Sequence, residues 1–273
     1  MSMYDNMEKD YVSEEYKKYL ISHKRFKSAI RVSRIVILIL IFVLWEFAAN
    51  NEWIDPFIMS QPSKILYTLT SMAKDGSLFI HTGVTVYETL VGFVIGTLLG
   101  SLIAIALWWS DFLASVLDPY LVVLNALPKT ALGPIILVWI GGTTKSIIVM
   151  ALLFSIVVTI INVFTAFRNC DEDKIKLLKT FGATKKQILQ KVVLPSGVTT
   201  IISTLKINVG LSLVGVIVGE FLVSKAGLGY LIIYGGQVFK MDLVMTSVLI
   251  LAIVAAVLYL SVLWIEKKVL KMM

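Results

Sequence analysis

Apolar residues in this chain collect into runs of about 20, the length at which an α-helix crosses the hydrocarbon core of a bilayer. Six runs can be read: roughly Ile35–Ala49, Val84–Trp109, Leu121–Ile140, Ser146–Phe167, Val198–Val223 and Leu243–Ile265. The first reaches full length only by borrowing neighbours such as Ile30 or Trp53. Lipid offers no water to a free N–H or C=O, so each run must close its hydrogen bonds within itself, as a helix. The runs also explain a composition that is 58% hydrophobic, against about 45–50% in soluble domains. The expected fold is an all-α membrane protein with six transmembrane helices.

Lysine and arginine assign the two sides. The arm before Ile35 carries Lys9, Lys17, Lys18, Lys24, Arg25, Lys27, Arg31 and Arg34, the segment 168–197 carries seven more, and the tail after Ile265 three. The opposite side has Lys64, Lys74, Lys145, Lys225 and Lys240, while Lys129 and Lys206 fall within apolar runs. Basic residues accumulate in cytoplasmic loops. A bias of eighteen against five therefore places both termini and 168–197 in the cytoplasm, as six crossings require. The short loop expected near Asp111 and Asp118 has no basic residue. Trp108, Trp109 and Trp139 suit the aromatic belts at the two interfaces.

The charge distribution bears on function too. In a soluble protein a net charge of +7 would point to nucleic acid. Here it follows topology instead. Cys170 is the one cysteine, so no internal disulfide or zinc-type spacing exists, and His23 and His81 form no metal motif. Gly141–Ser146 ends like a phosphate-binding loop, but Trp139 and Thr144 stand where its glycines are required. Gly227-Leu228-Gly229 lacks a third glycine and a βαβ setting. No catalytic set, metal or cofactor is expected.

The segment 171–197, DEDKIKLLKTFGATKKQILQKVVLPSG, is too ordered for a plain connector. Ile175, Leu178 and Phe181 can share one helical face. Gly182 can end that helix in a left-handed conformation, and Thr184 with Gln187 has the spacing of a capping box. Ile188, Leu189 and Val192 mark the inner face of a second helix, which Pro195 is expected to stop or redirect. The result is a helix–turn–helix held between two membrane helices. Its flanks leave it no reach to DNA. It either packs on its own bundle or meets a partner with an acidic rim.

This segment resembles the EAA loop of ABC importer permeases. Gly182-Ala183 and, thirteen residues after the glycine, Leu194-Pro195 match the pattern, whereas Lys176-Leu177-Leu178 stands in place of the glutamate–alanine–alanine triplet. The stretches HTGVTVYETLVGFVIGTLLGSLIAIALWWS, LPKTALGPIILVWIGG and VGEFLVSKAGLGYLI look like the branch that moves nitrate, taurine, alkanesulfonates and thiamine-pyrimidine precursors. The resemblance implies a type I importer permease of the bacterial inner membrane. It also implies two ATPase subunits inside, an extracytoplasmic substrate-binding protein outside, and a homodimer of permeases. The coupling role falls on Gly182, Ala183, Thr184, Gln187, Ile188 and Pro195.

The division expected is an interfacial or solvated arm 1–34, a first helix with an outer interfacial segment 35–83, a five-helix core 84–265 with the coupling loop 168–197, and a tail 266–273. Gly92, Gly96 and Gly100 recur every four residues, a pattern for close helix packing in lipid. Pro128 and Pro134 interrupt the third run, as in the broken helices of transport pathways. Lys129 between them either serves an anionic solute, offset by Glu88 or Glu220, or snorkels to an interface. Asn208, Ser212 and Glu220 complete the candidate pathway residues. Glu220 either organises an outer gate or caps a helix end. Lys206 is expected at the cytoplasmic interface. The substrate stays open between a small anion such as a sulfonate and a vitamin-precursor pyrimidine. The competing functions are an intramembrane enzyme using Lys129 and Glu220, and an ATP-independent channel.

Overall fold

The computed structural model describes residues 14–271, so the start of the arm, including Lys9, lies outside the described residues. Among these residues there are helices and turns and no strand. The chain divides after Lys64 into two compact units.

The first unit holds α1 (Glu14–Asn50) and the short α2 (Pro56–Met59). α1 is one helix of 37 residues, of which Arg25–Asn50 is apolar and long enough to cross a membrane. Arm and first span are therefore one element, not an interfacial helix followed by a separate short span. No glycine or proline interrupts 14–50, so nothing ends the helix between them. At about 1.5 Å per residue it is far longer than a bilayer core, which leaves its basic N-terminal part beyond the hydrocarbon.

The second unit begins with α3, Pro62–Lys74, whose first residues straddle the division. It continues with α4 (Ser77–Trp109), α5 (Asp111–Ala126), a 3-10 turn (Lys129–Leu132) and α6 (Gly133–Ile140). Then follow α7 (Thr144–Arg168), α8 (Glu172–Thr180), α9 (Lys185–Ile188), a π-turn (Leu189–Val193), α10 (Leu194–Val223), α11 (Leu228–Gln237) and α12 (Met241–Leu270). Five helices are long and apolar enough to span, and six if α5 and the segment 129–140, bent by 91°, count as one.

The break expected in the third run is present at Pro128, which has no N–H and forces Leu127 into an extended conformation (φ −64°, ψ 132°). One expectation about this bent pair is corrected. The stretch around Asp111 and Asp118 is helix, not loop: Ser110 caps it, its Oγ accepting the Leu113 N–H at 3.2 Å.

α7 runs between α4 and α10 at the centre of the unit. The four-residue glycine ladder of α4 lies against it. A Cβ on Gly92 or Gly96 would collide with the side chain of Ala151 or Ser155, and one on Gly100 would stand 2.6 Å from Thr159 Cβ. On the other side, Gly215 and Gly219 of α10 meet the α7 backbone at Ala151 and Ile147. Small residues thus let three backbones approach where the hydrophobic effect cannot drive association.

Candidate functional site

Two regions combine polar chemistry with defined geometry, one at each end of the α4–α7–α10 core. At the cytoplasmic end, Asp171 caps α8, its Oδ1 accepting the Asp173 N–H at 3.0 Å. α8 ends at Thr180, and Gly182 just beyond it takes the expected left-handed conformation at φ +75°. Thr184 and Gln187 then form a capping box. Gln187 Oε1 accepts the Thr184 N–H at 2.7 Å, and Thr184 Oγ1 accepts the Gln187 N–H at 3.4 Å.

The inner face of this helix pair is rooted in its own bundle. Ile175, Leu178, Ala183, Ile188 and Leu189 pack with Phe167, Val163 and Ala104 of α7 and α4. Lys185 ties α9 to the end of α4, donating to the Trp109 carbonyl at 2.7 Å and lying over the Trp108 ring. Phe181 does not share the face of Ile175 and Leu178. It is 77% exposed and, with Leu177 at 56%, forms an apolar surface turned away from the bundle. α8 stops at Thr180, so Phe181 follows the turn into Gly182 rather than the helical face.

Pro195 does not stop the second helix. Residues Lys185–Val223 run as one helix through the π-turn. There the Leu194 N–H reaches back five residues to the Leu189 carbonyl. The widened turn takes up the proline, whose ring would otherwise clash with the carbonyl four residues earlier.

At the outer end Glu220, 1% exposed, holds the start of α11. One oxygen accepts the Gly229 N–H at 2.5 Å and the other accepts from Thr85 Oγ1 at 2.7 Å. Thr85 Oγ1 in turn accepts the Leu228 N–H at 2.8 Å, and His81 Nδ1 accepts the Gly227 N–H at 3.0 Å. Three successive amides at a helix N-terminus thus meet three side-chain acceptors. Glu88 is buried against the same carboxyl group.

Between the two ends, Asn208 and Ser212 are fully buried. Asn208 Nδ2 donates to Thr159 Oγ1 at 2.6 Å and to Thr97 Oγ1 at 3.3 Å, joining α10 to α7 and α4. Lys129 is not among these groups. It is partly exposed, donates to the Asn125 carbonyl at 3.2 Å, and forms no ion pair with Glu88 or Glu220 among the described residues. The proline break lifts it out of the core. Lys206, near the middle of α10, is ion-paired at 2.9 Å with Glu266 in the last turns of α12.

Sequence reasoning missed the roles of Thr85 and His81. Nothing local marks them, because their partners lie 135 to 146 residues away.

The sequence pattern of the family described as "Binding-protein-dependent transport system inner membrane component" matches residues 96–271. A protein of Haemophilus influenzae named as a probable ABC transporter permease is 31% identical over 82% of this chain and 91% of its own length. The formylaminopyrimidine transport permease ThiX of Halalkalibacterium halodurans is 26% identical over 70% of this chain and 76% of its own. The taurine transport permease TauC of Escherichia coli is 23% identical over 82% and 83%. Among solved structures, a chain of a bacterial ABC transporter involved in alginate import superimposes with a TM-score of 0.64 at 14% identity. The match covers 93% of this chain and 98% of that one, and it shows a shared fold.

Proposed function

The chain belongs to the family of binding-protein-dependent transport system inner membrane components, and from that membership we propose how it works as one half of an importer. Permeases of this family are multi-pass inner-membrane subunits and not enzymes themselves; their ATPase and their binding protein are separate chains. The finer reading is that two copies of this chain form one pathway, with two ATPase subunits below and a binding protein above.

One observation carries the coupling assignment. The pair α8–α9 is anchored on its inner face by Ile175, Leu178 and Ile188, yet presents Leu177 and Phe181 outward beside Lys176 and Lys179. An anchored element with an exposed apolar tip suits docking into a cleft of another protein. Gly182, Ala183, Thr184, Gln187 and Ile188 shape that element, and Pro195 lies where it passes into α10. Lys185–Val223 is one helix, so a displacement of the docked tip is delivered along α10 to Glu220 and the seat of α11. ATP binding would draw the two docked tips together and open the outer end; hydrolysis would reset it. Asn208 and Glu220 serve as pivots that join α10 to its neighbours, and Ser212, buried on the same helix with its hydroxyl unpartnered among the described residues, is a pathway residue.

The substrate is a small polar solute, of the taurine or sulfonate type or of the aminopyrimidine type. Affinity purification from native membranes is expected to recover an ATPase with this chain, and its absence would remove the centre of the reading. Gly182→Pro cannot adopt a positive φ. It should insert normally yet hydrolyse ATP without uptake, and normal uptake in that variant would count against the coupling role.

A further inference from the structure

A groove of about 480 Å³ lies between α7 and α10 on their cytoplasmic half, beginning beside Asp171 at the foot of α8. Its lining alternates on the two helices. α7 and its C-cap contribute Asn162, Thr165 and Asn169; α10 contributes Ser196, Thr200 and Ser203. These follow i, i+3 and i+4 spacings, so each helix turns one polar stripe to the groove. From Ser196 to Ile207 at its inner limit is about 16 Å along the helix, roughly half the thickness of a bilayer core. The groove therefore leads from the cytoplasm towards the midplane.

The lining has a specific chemical character. The side chains of Asn162, Asn169, Thr165, Thr200 and Ser203 make no hydrogen bond within the chain among the described residues. Polar groups left unspent in a membrane helix pair require water or a solute as partner. The groove contains no lysine or arginine. Its one charged group is the Asp171 carboxylate at the mouth, which caps α8 through the Asp173 N–H and is paired with Lys174 at 3.7 Å. The C-terminal end of α7 borders the same mouth, and Arg168 in its last turn offsets the partial negative charge of its carbonyls. Lys129 and Lys206 do not line it, and Lys206 is held by Glu266. An anion would exchange its hydration for hydroxyls and amides with no cation along the lining to offset the loss.

We propose that this groove is the cytoplasmic half of the translocation pathway, and that it selects an uncharged, hydrogen-bonding solute over sulfonate- and nitrate-type anions. The proposal rests on the permease reading and deepens it, because it chooses between the two substrate types that reading leaves open.

The test uses the complex purified from native membranes with its ATPase and binding protein. Thr200→Cys is introduced in a Cys170→Ala parent, whose own uptake is the reference. The cysteine is reacted with a hydroxyethyl and a sulfonato-ethyl methanethiosulfonate, the second being itself an alkanesulfonate. The rate ratio of neutral to anionic reagent, divided by the same ratio for a free thiol, is expected to exceed about 10, and modification should block uptake. In the unmodified reconstituted complex, 4-amino-5-hydroxymethyl-2-methylpyrimidine is expected to compete with uptake or stimulate ATP hydrolysis, and ethanesulfonate and nitrate are not. A normalised ratio near one, an unreactive cysteine in every nucleotide state, unchanged uptake after modification, or accumulation of ethanesulfonate would each overturn the proposal. Failure to recover any ATPase with the chain would instead sink the permease reading, while the labelling ratio still reports the groove.

Discussion

Gly215 lies directly on the backbone of Ala151, so close that a Cβ there would stand 2.7 Å from Ala151 Cα and 2.9 Å from the Met150 carbonyl oxygen. Backbone cannot yield as a flexible side chain can. Gly215→Ala is therefore expected to push α10 off α7 and to cost about 1–3 kcal/mol, the usual range for overpacking. A Cβ on Gly210, of the same helix, would meet nothing within 4 Å. Gly210→Ala should be neutral or slightly stabilising, since alanine is the better helix former. Thermal melts of the two variants in detergent check the contrast, and equal effects would argue against close packing as the reason for the glycine.

The seat of α11 gives a second test. Thr85→Val removes the acceptor of the Leu228 N–H and the donor to Glu220 together. A buried amide left unpaired costs about 1–3 kcal/mol. The loop that holds Lys225 should then open more often, and trypsin should cut after Lys225 several-fold faster than in the parent. Thr85→Ser keeps both bonds and should behave as the parent. Equal cleavage in the two variants would show that the hydroxyl does not hold the loop.

What was legible in the sequence divides along physical lines. Apolar runs and the glycine ladder of α4 report one-dimensional requirements, length in lipid and small residues at one face, so they could be read directly. The caps at Thr184–Gln187 and Gly182 are also local, and the structure has both. Three features were not legible. The outward turn of Phe181 depends on α8 ending one residue earlier than its apolar pattern suggests. The passage of α10 through Pro195 depends on a π-turn, which no composition announces. Glu220 could be noticed as a carboxylate in lipid, but its role depends on Thr85 and Gly229, brought to it only by the packing of α4 and α11. Lys129 could be read either as a pathway charge or as one that reaches an interface, and the run alone did not show the bend at Pro128 that leaves it partly exposed.

The capping box of α9 should matter more to coupling than to stability. Thr184→Ala with Gln187→Ala removes both reciprocal bonds, at a cost of about 0.5–2 kcal/mol for the lost cap. α9 is exposed except at Ile188, so the loss falls on the local opening of residues 185–188 and not on the core. Hydrogen exchange there should speed up about tenfold, by the conversion of 1.4 kcal/mol to a factor of ten, with the melting temperature nearly unchanged. Solute moved per ATP hydrolysed should fall. Unchanged coupling with faster exchange would show that the tip need not be rigid.

Lys206 and Glu266 offer a test of how α12 is held to α10. Their side chains are only 25% and 13% exposed, and the 2.9 Å ion pair links the middle of α10 to the C-terminal part of α12. Removing one partner leaves the other charge without its counter-ion in a largely apolar setting. Lys206→Met is therefore expected to destabilise by about 1–2 kcal/mol, below the range for fully buried pairs because solvent still reaches both groups. Adding Glu266→Leu to Lys206→Met should recover most of that loss, since two apolar side chains can pack where one stranded carboxylate cannot. The double-mutant cycle measures this by thermal melts in detergent, at low and at high salt. A double variant as unstable as the sum of the singles would mean that the two residues act independently, and that α12 is held by its apolar contacts with Val209 and Leu231 alone.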